Sequence, residues 1–171
     1  ELYYSDINIE INKKVNKNIR YNAVIANQTY NKDFLEGKTP GEYGVLNSTI
    51  AVLDLSYRIK KGHTIRFETQ ALFSKQLETA SKEAEGDWLM VLAEYTISPN
   101  WFFAIQDMYN YGNENESKRL HYMNLNVGFL KGSTRFEIGY GKKREGIFCV
   151  GGVCKLVPSS NGLNLSITTS F

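Results

Sequence analysis

The chain has 171 residues and a formal net charge of +2; 42% of its residues are hydrophobic and 13% are aromatic. This length is ample for a single domain, and so small a charge gives no support for nucleic-acid binding. No window approaches the ~18 apolar residues of a membrane-spanning helix, but barrel strands bury only alternate residues in lipid and escape this criterion. Residues 1–11 contain no charged-then-apolar leader, so we expect any secretion signal to have been removed or to lie upstream.

Alternation of apolar and polar residues with a period of two predicts four strands in the first half of the chain. They are predicted over residues 2–12, 19–30, 46–59 and 63–74. The fourth is among the clearest, because Ile65, Phe67 and Phe73 alternate with Arg66 and Glu68. The run QLETASKEAE, which follows it, allows a helical turn or two.

Five more strands are predicted in the second half, over residues 88–97, 101–111, 119–130, 133–143 and 162–171. The first two of these are apolar on both faces, which fits a packed interior. Trp88, Met90 and Leu92 would then fill a lumen.

The last strand has a strict period of two and ends on an aromatic residue. It resembles the terminal strand of bacterial outer-membrane barrels, in which that residue is part of the signal read by the barrel-assembly machinery. The predicted assembly signal comprises Leu163, Leu165, Ile167, Thr169 and Phe171.

The connections between the predicted strands alternate in length. Residues 13–18, 60–62, 98–100 and 131–132 are short, whereas residues 31–44, 75–87, 112–118 and 144–161 are longer. Short periplasmic turns and long outer loops are typical of an up-and-down barrel. We therefore predict an all-β fold, an antiparallel up-and-down transmembrane β-barrel, forming a single domain over residues 1–171 in the bacterial outer membrane.

Nine strands are an odd number, whereas single-chain bacterial barrels generally have an even one. Either the count is wrong by one, or the chain is the C-terminal part of a larger barrel, and we favour the larger barrel. A charge in the hydrocarbon is costly, so the charged face of each strand should line the interior. The predicted lumen-lining charges are Glu10, Asp54, Arg66, Glu68, Arg135 and Glu137.

Two interpretations of these charges stay open: an ion- or solute-selective lining, and a salt-bridged interior that holds a narrow lumen shut. Aromatic residues near the predicted strand ends suit interfacial belts, although the β-propensity of aromatic residues also explains each one. The six lysines of the short turns suit either anionic headgroups or solvent.

Cys149 and Cys154 are the only cysteines, in the run CVGGVC of the last long connection. In an exported protein they are most simply a disulfide, with Gly151 and Gly152 forming the reversal between them. A metal site would need further ligands, which are not close in sequence. Only His63 and His121 could serve a catalytic set, and no GxSxG motif is present, so we expect no enzyme activity, no cofactor and no metal.

The last third of the chain also carries a family resemblance. The runs WFFAIQDMYNYGN at residues 101–113, RFEIGYGKKREGIFCVGGVCKLVPSSNG at residues 135–162 and the terminal SITTSF are similar to the C-terminal region of a Bacteroidota outer-membrane barrel family of unassigned function. The resemblance is best from Trp88 onward, and members of that family are longer than this chain. It implies a location and a fold, and it carries no functional residues across.

Two functions remain at this stage. One is a non-enzymatic structural or accessory subunit of an envelope complex, which the apolar strands over residues 88–97 and 101–111 favour. The alternative is a porin-like channel for small solutes, for which Gly128, Gly139 and Gly141 would leave room. The expected partners are outer-membrane lipid, the barrel-assembly machinery during insertion and other envelope proteins.

Overall fold

A computed structural model describes residues 3–77 and 80–170, and within these ranges the protein is almost entirely β-structure. The elements are β1 (Tyr4–Lys14), β2 (Ile19–Asn31), α1 (Lys32–Leu35), β3 (Val45–Lys60), β4 (His63–Gln76), β5 (Trp88–Ile97), β6 (Trp101–Tyr109), a 3-10 helix (Glu116–Lys118), β7 (Asn124–Lys131), β8 (Thr134–Lys143), β9 (Gly146–Val150), β10 (Val153–Val157) and β11 (Ser160–Thr169). No helix in the described ranges has the length and apolar character needed to cross a membrane.

Nine strands form one antiparallel sheet in the order β1-β2-β3-β4-β5-β6-β7-β8-β11, and β9 pairs with β10 in a separate hairpin. The predicted all-β antiparallel sheet of nine strands is confirmed. The sheet is open, because β1 and β11 are its two edges over the residues that the structure describes.

The connections of this sheet alternate as the sequence predicted. Residues 15–18, 61–62, 98–100 and 132–133 make the short turns, and residues 32–44, 77–87, 110–123 and 144–159 make the long connections. We call the two ends of the sheet the short-turn end and the long-connection end. Local chemistry sets the turns: the Asn16 carboxamide oxygen accepts the N–H groups of Asn18 and Ile19, and Gly62 supplies a φ of 80°.

Three local predictions need correction. The seventh strand begins at Asn124 rather than at residue 119, because residues 119–123 belong to the long connection and pair with β6 only through a single bridge at His121. The described part of residues 75–87 contains no helix; the short helices follow Asn31 and Asn115, whose side chains cap them. The last connection, predicted as a loop, contains β9 and β10.

The two faces of the sheet differ in chemistry. One, the apolar face, carries exposed aliphatic and aromatic side chains, and pairing aligns these side chains in rows across the strands. One row from β3 to β11 is Leu55, Phe67, Ala93, Ile105, Leu125, Tyr140 and Leu163. The opposite face, which we call the hairpin face because β9 packs on it, carries the charged residues of β3, β4 and β8.

Candidate functional site

The β9–β10 hairpin occupies the hairpin face of the sheet. Its strands pair in register, with Cys149 opposite Cys154, and a disulfide joins the two side chains across a Cα–Cα distance of 4.0 Å. Gly151 and Gly152 form the turn with φ values of 56° and 73°. Two consecutive positive φ values suit the two-residue turns that match the twist of a hairpin, and glycine adopts them without steric cost.

An apolar core fixes the hairpin to the sheet. Phe148 and Val150 are 5% and 1% exposed, and they pack in one cluster with Met90 and Leu92 of β5 and with residues of β6. Full burial of such side chains contributes about 1.5–3 kcal/mol each. Trp88, Met90 and Leu92, which were expected to fill a lumen, are buried, and the segment that covers Met90 and Leu92 is the hairpin.

The hairpin tip is held by hydrogen bonds to charged side chains. The Gly151 N–H donates to Glu94 Oε2 at 2.7 Å. The Arg135 guanidinium donates to the carbonyl oxygens of Gly151 at 2.9 Å and Val150 at 2.8 Å, and it lies 4.2 Å from the centroid of the Phe102 ring. Because Glu94 and Arg135 lie toward the short turns that end β5 and begin β8, the hairpin runs from the long-connection end down much of the face.

A charged cluster lies beneath the hairpin. Arg135 and Glu137 are in contact at 3.2 Å, and the Lys155 ammonium of β10 lies 3.3 Å from the Glu137 carboxylate. Lys143 Nζ lies 4.3 Å from the centroid of the Phe148 ring. Arg135, Glu137 and Lys143 are buried, so these contacts are shielded from water, and removal of one member of the Arg135–Glu137 pair would leave a buried charge without compensation.

The remaining predicted lining charges lie on the same face. Arg66 contacts Asp54 at 2.6 Å and also pairs with Glu68. These side chains are 26%, 23% and 10% exposed. Glu10 shares the face by register but is exposed on the edge strand β1. The structure thus places five of the six predicted charges in two clusters, one on β3 and β4 and one under the hairpin, and Glu10 lies outside both.

The glycines of this face make room for side chains rather than for a lumen. A Cβ on Gly128 would lie 1.9 Å from the Phe102 ring, and one on Gly139 would lie 2.5 Å from Asn126 Oδ1. On Gly141 it would meet the Met123 carbonyl oxygen at 2.3 Å. The expectation that these three glycines leave open space is therefore wrong, because neighbouring groups occupy it.

The sequence did not predict which surface the hairpin covers. It also did not single out Glu94 and Lys143 of the sheet or Lys155 of the hairpin, which make contacts between the two. The available signal was the alternation of residues 147–150, which places Phe148 and Val150 on one side. That alternation indicates a strand with a buried face, but it cannot identify the covering surface.

The long connections contact one another at their end of the sheet. Glu42 pairs with Lys82 at 2.6 Å, and Glu85 pairs with Arg144 at 2.5 Å. Asp33 is 5% exposed, and its carboxylate accepts three backbone N–H groups of residues 41–44 at 2.8–3.0 Å. Burial works to raise the pKa of Asp33, but these hydrogen bonds outweigh it and lower the pKa below its usual value.

The predicted assembly signal lies mainly on the apolar face. Leu163, Leu165 and Ile167 are 67%, 70% and 72% exposed, and Thr169 is exposed at the end of β11. Phe171 lies outside the described residues. The six lysines of the short turns are exposed. They are Lys13, Lys14, Lys17, Lys60, Lys61 and Lys131.

The two histidines are far apart along the fold and have separate partners. His63 Nδ1 lies 2.6 Å from the Tyr95 hydroxyl, whereas His121 Nδ1 lies 2.7 Å from Asp107 Oδ2 and its ring stacks on Tyr109. Among the described residues, no group of three or more His, Cys, Asp or Glu side chains is placed to hold a metal ion.

A family model described as a family of unknown function, DUF6029, matches residues 1–171. The chain belongs to the DUF6029 family. No curated protein and no solved structure matches this DUF6029 chain. The family match covers both the nine-stranded sheet and the hairpin. Because the family has no described function, the geometry of the sheet and the hairpin is the basis for proposing one.

Proposed function

We propose that this chain forms nine strands of an outer-membrane β-barrel, with its apolar face in lipid and the β9–β10 hairpin inside. Its role is that of a non-enzymatic structural or accessory subunit of an envelope complex. The observation that carries this proposal is the division of the sheet into an exposed apolar face and a charged hairpin face.

The apolar face is too extensive for a protein surface in water. Large aliphatic and aromatic residues are exposed on all nine strands, among them Ile25, Phe67 and Ile138 at 61%, 42% and 55%. Soluble monomers rarely expose contiguous apolar patches above several hundred Å². In lipid the same residues are favourable, and alternating strands are the expected pattern for a barrel wall.

The open edges of the sheet support a larger barrel. Bilayer hydrocarbon offers no water to satisfy unpaired backbone N–H and C=O groups, so membrane strands must close into a ring. Strands additional to β1–β8 and β11 would pair with the edges at β1 and β11. This supports the interpretation of the nine strands as part of a larger barrel.

Aromatic residues near both ends of the strands suit the two membrane interfaces. At the short-turn end, Trp101 is 44% exposed and its ring lies 4.6 Å from that of Phe129. At the long-connection end, Tyr109 stacks on His121. By strand direction, the short-turn end would be periplasmic and the long-connection end would be at the cell surface.

The hairpin favours a structural role over conduction. It places a packed apolar cluster and a buried ion-pair network over β5, β6 and β8, where a pore would need open space. The barrel-assembly machinery would act on β11 during insertion, and a partner in the envelope would bind the loops or the lipid face.

The test of membrane location uses the only two tryptophans of this chain, which lie on opposite faces. Trp101 is on the apolar face and Trp88 is 7% exposed on the hairpin face. In vesicles with brominated phospholipid, Trp88→Phe should leave the quenchable emission of the full-length protein intact, and Trp101→Phe should reduce it. Equal losses in the two variants would contradict the proposal.

The second candidate, a porin-like channel, rests on the charges of β3 and β4. The Arg66 cluster is partly exposed and lies on strands that are outside the apolar hairpin cluster. Conductance of the full-length protein in a planar bilayer decides between the two functions. Steady salt-dependent steps would favour the channel, and silence from protein verified as folded by heat-modifiable gel migration would favour the structural role. Co-purification would then identify the envelope partner.

A further inference from the structure

A basic cavity lies at the short-turn end of the sheet. Its volume is about 230 Å³, and four cationic side chains line it: Lys14, Lys17, Arg20 and Arg58. The other lining residues carry no charge. The volume is below the ~300–1,000 Å³ of pockets that enclose a drug-sized ligand, so the cavity suits a single small group. The proposed function does not use this cavity.

Strand pairing and one turn bring the four cations together. Lys14 of β1 is directly opposite Arg20 of β2. Arg58 of β3 donates its backbone N–H to the Asn18 carbonyl oxygen at 2.8 Å, which places Arg58 beside the β1–β2 turn. Lys17 belongs to that turn. The positions of the four cations are therefore set by the backbone of the sheet.

No carboxylate of the protein compensates these cations. Within residues 3–77 and 80–170, none of the four takes part in an ion pair. Asp54 and Glu68 lie further along β3 and β4, and both bind Arg66. Glu10 is about 13 Å from Lys14 along β1, at a rise of ~3.3 Å per residue. The cavity therefore keeps an uncompensated positive charge.

This arrangement costs stability when the cavity holds no ligand. Like charges directly opposite each other on paired strands are destabilising, and Lys14 and Arg20 are such a pair. All four cations are exposed, so an ion from solution can reach them. A bound anion would replace their mutual repulsion with attraction to a shared partner.

The lining selects an oxyanion of more than one charge. Guanidinium and ammonium groups only donate hydrogen bonds, and the hydroxyls of Ser56 and Thr64 can donate as well. Arg20 and Arg58 each present a planar fork that binds two oxygens of one oxyanion. A phosphate group carries about −1.5 to −2 charges at pH 7 and three acceptor oxygens, so it compensates more of the cationic charge than a carboxylate does.

We propose that this cavity binds a phosphate group, with Arg20 and Arg58 as its principal ligands and Lys14 and Lys17 around it. The group could be free phosphate or the headgroup of a phosphatidic acid, and both present the same oxygens and charge. The site is built by β1–β4 and the β1–β2 turn alone, so it does not depend on closure of a barrel.

The experiment is isothermal titration of the full-length protein in detergent at a constant ionic strength of about 0.15 M, which screens diffuse attraction between exposed charges. The probes are inorganic phosphate and a short-chain phosphatidic acid, each up to about 10 mM, ten times the dissociation constant of a weak, ~1 mM site. The heat of adding each probe to detergent alone is subtracted. Saturable binding of phosphate would indicate a soluble ligand, and binding of phosphatidic acid alone would indicate a headgroup. Absence of binding for both probes overturns the proposal.

Matched variants separate this site from general attraction to the basic end of the sheet. Arg20→Gln and Arg58→Gln should each weaken phosphate binding about fivefold, the upper range for one exposed charge pair. Arg20→Gln should also raise the melting temperature of the ligand-free protein, because it removes the repulsion with Lys14. Lys131→Gln is the control, since it removes the same charge from an exposed residue at the β7–β8 turn. It should leave the affinity unchanged. Equal weakening in all three variants, or unchanged affinity in both arginine variants, would overturn the assignment of the site.

Discussion

The Glu94 carboxylate of β5 accepts the N–H of Gly151 at 2.7 Å, across 57 residues of sequence. This bond ties the hairpin tip to the opposite part of the sheet, and Arg135 holds the same turn through two carbonyl oxygens. Side chains of the sheet therefore bind both the N–H and the carbonyl groups of the turn, and these bonds hold the hairpin on the hairpin face.

The two turn glycines provide a matched pair of substitutions. Gly151→Ala should destabilise the protein more than Gly152→Ala. Both residues have positive φ, which costs an L-residue about 1–2 kcal/mol. Only at Gly151 would the new Cβ clash, at 2.8 Å from Arg135 and Phe102. Melting followed by heat-modifiable gel migration measures the difference, and equal losses would show that the tip does not pack against the sheet.

Replacement of Arg135 should lower the free energy of unfolding far more than replacement of an exposed arginine. In Arg135→Met the buried Glu137 loses one of its two cations, and loss of a partner in a buried pair costs about 3–5 kcal/mol. Arg144→Met is the control, because its pair with Glu85 is exposed and is worth about 0–1 kcal/mol. Denaturant titration gives both values. Similar losses would mean that the Arg135 cluster is hydrated.

Deletion of the β9–β10 hairpin tests whether the hairpin blocks conduction. In the proposed non-conducting barrel, replacing residues 146–157 with a short Gly-Ser linker should produce conductance steps, because it removes Phe148, Val150 and the bonds to Arg135. The control shortens the β6–β7 connection at residues 114–118, which should leave the bilayer silent. Each variant must first show the folded gel band. A folded deletion variant without conductance would refute occlusion by the hairpin.

The apolar face can be tested with one substitution at two isoleucines. Ile138→Lys on β8 should impair membrane insertion, because lysine at the bilayer midplane costs about 2–4 kcal/mol. Ile147→Lys on β9 is the control, since Ile147 is even more exposed, at 77% against 55%, but belongs to the hairpin. Flotation with vesicles measures insertion. Equal insertion of the two variants would argue against lipid on the apolar face.

Acidification should weaken the hydrogen bonds that hold the first long connection, residues 32–44, in place. The pKa of Asp33 is lowered in the folded protein, so its hydrogen bonds stabilise the fold above the usual aspartate pKa of about 4 and are lost as the pH falls through the lower, folded value. Hydrogen-exchange protection of the Gly41, Tyr43 and Gly44 amides should fall in that acidic range, and Asp33→Asn should reduce it at neutral pH. The Leu77 amide, which donates to Val45, should keep its protection. Loss of protection at Leu77 in parallel would indicate global unfolding instead.

The strand order and the positions of the turns could be predicted from the sequence, because alternation and turn residues are local signals. The period of residues 63–74 identified β4, and Gly62 and Gly132 marked two reversals. The same alternation assigned Arg66, Glu68, Arg135 and Glu137 to one face, since side-chain direction in a strand depends only on parity.

The packing of the hairpin and the individual side-chain contacts could not be predicted. They depend on residues that are distant in sequence, and a local pattern carries no information about such contacts. The packing of Phe148 against β5 and β6 depends on which surface the hairpin meets. The position of Phe102 over Gly128 depends on inter-strand register. The basic cavity between Lys14, Arg20 and Arg58 can be recognised only once β1, β2 and β3 are paired.

The position of the hairpin in the sequence determines the order in which the hairpin and its neighbouring strands can form. The hairpin is the link between β8 and β11, which are neighbours in the sheet. A chain that adds strands in sequence therefore makes the hairpin before it makes β11. All the sheet residues that contact the hairpin in this way, on β5, β6 and β8, precede it in the sequence, so the hairpin can pack on them before β11 pairs with β8. In the proposed barrel, the DUF6029 chain would therefore place the hairpin on the sheet before the strands close around it, and a finished hairpin would not have to enter a closed barrel.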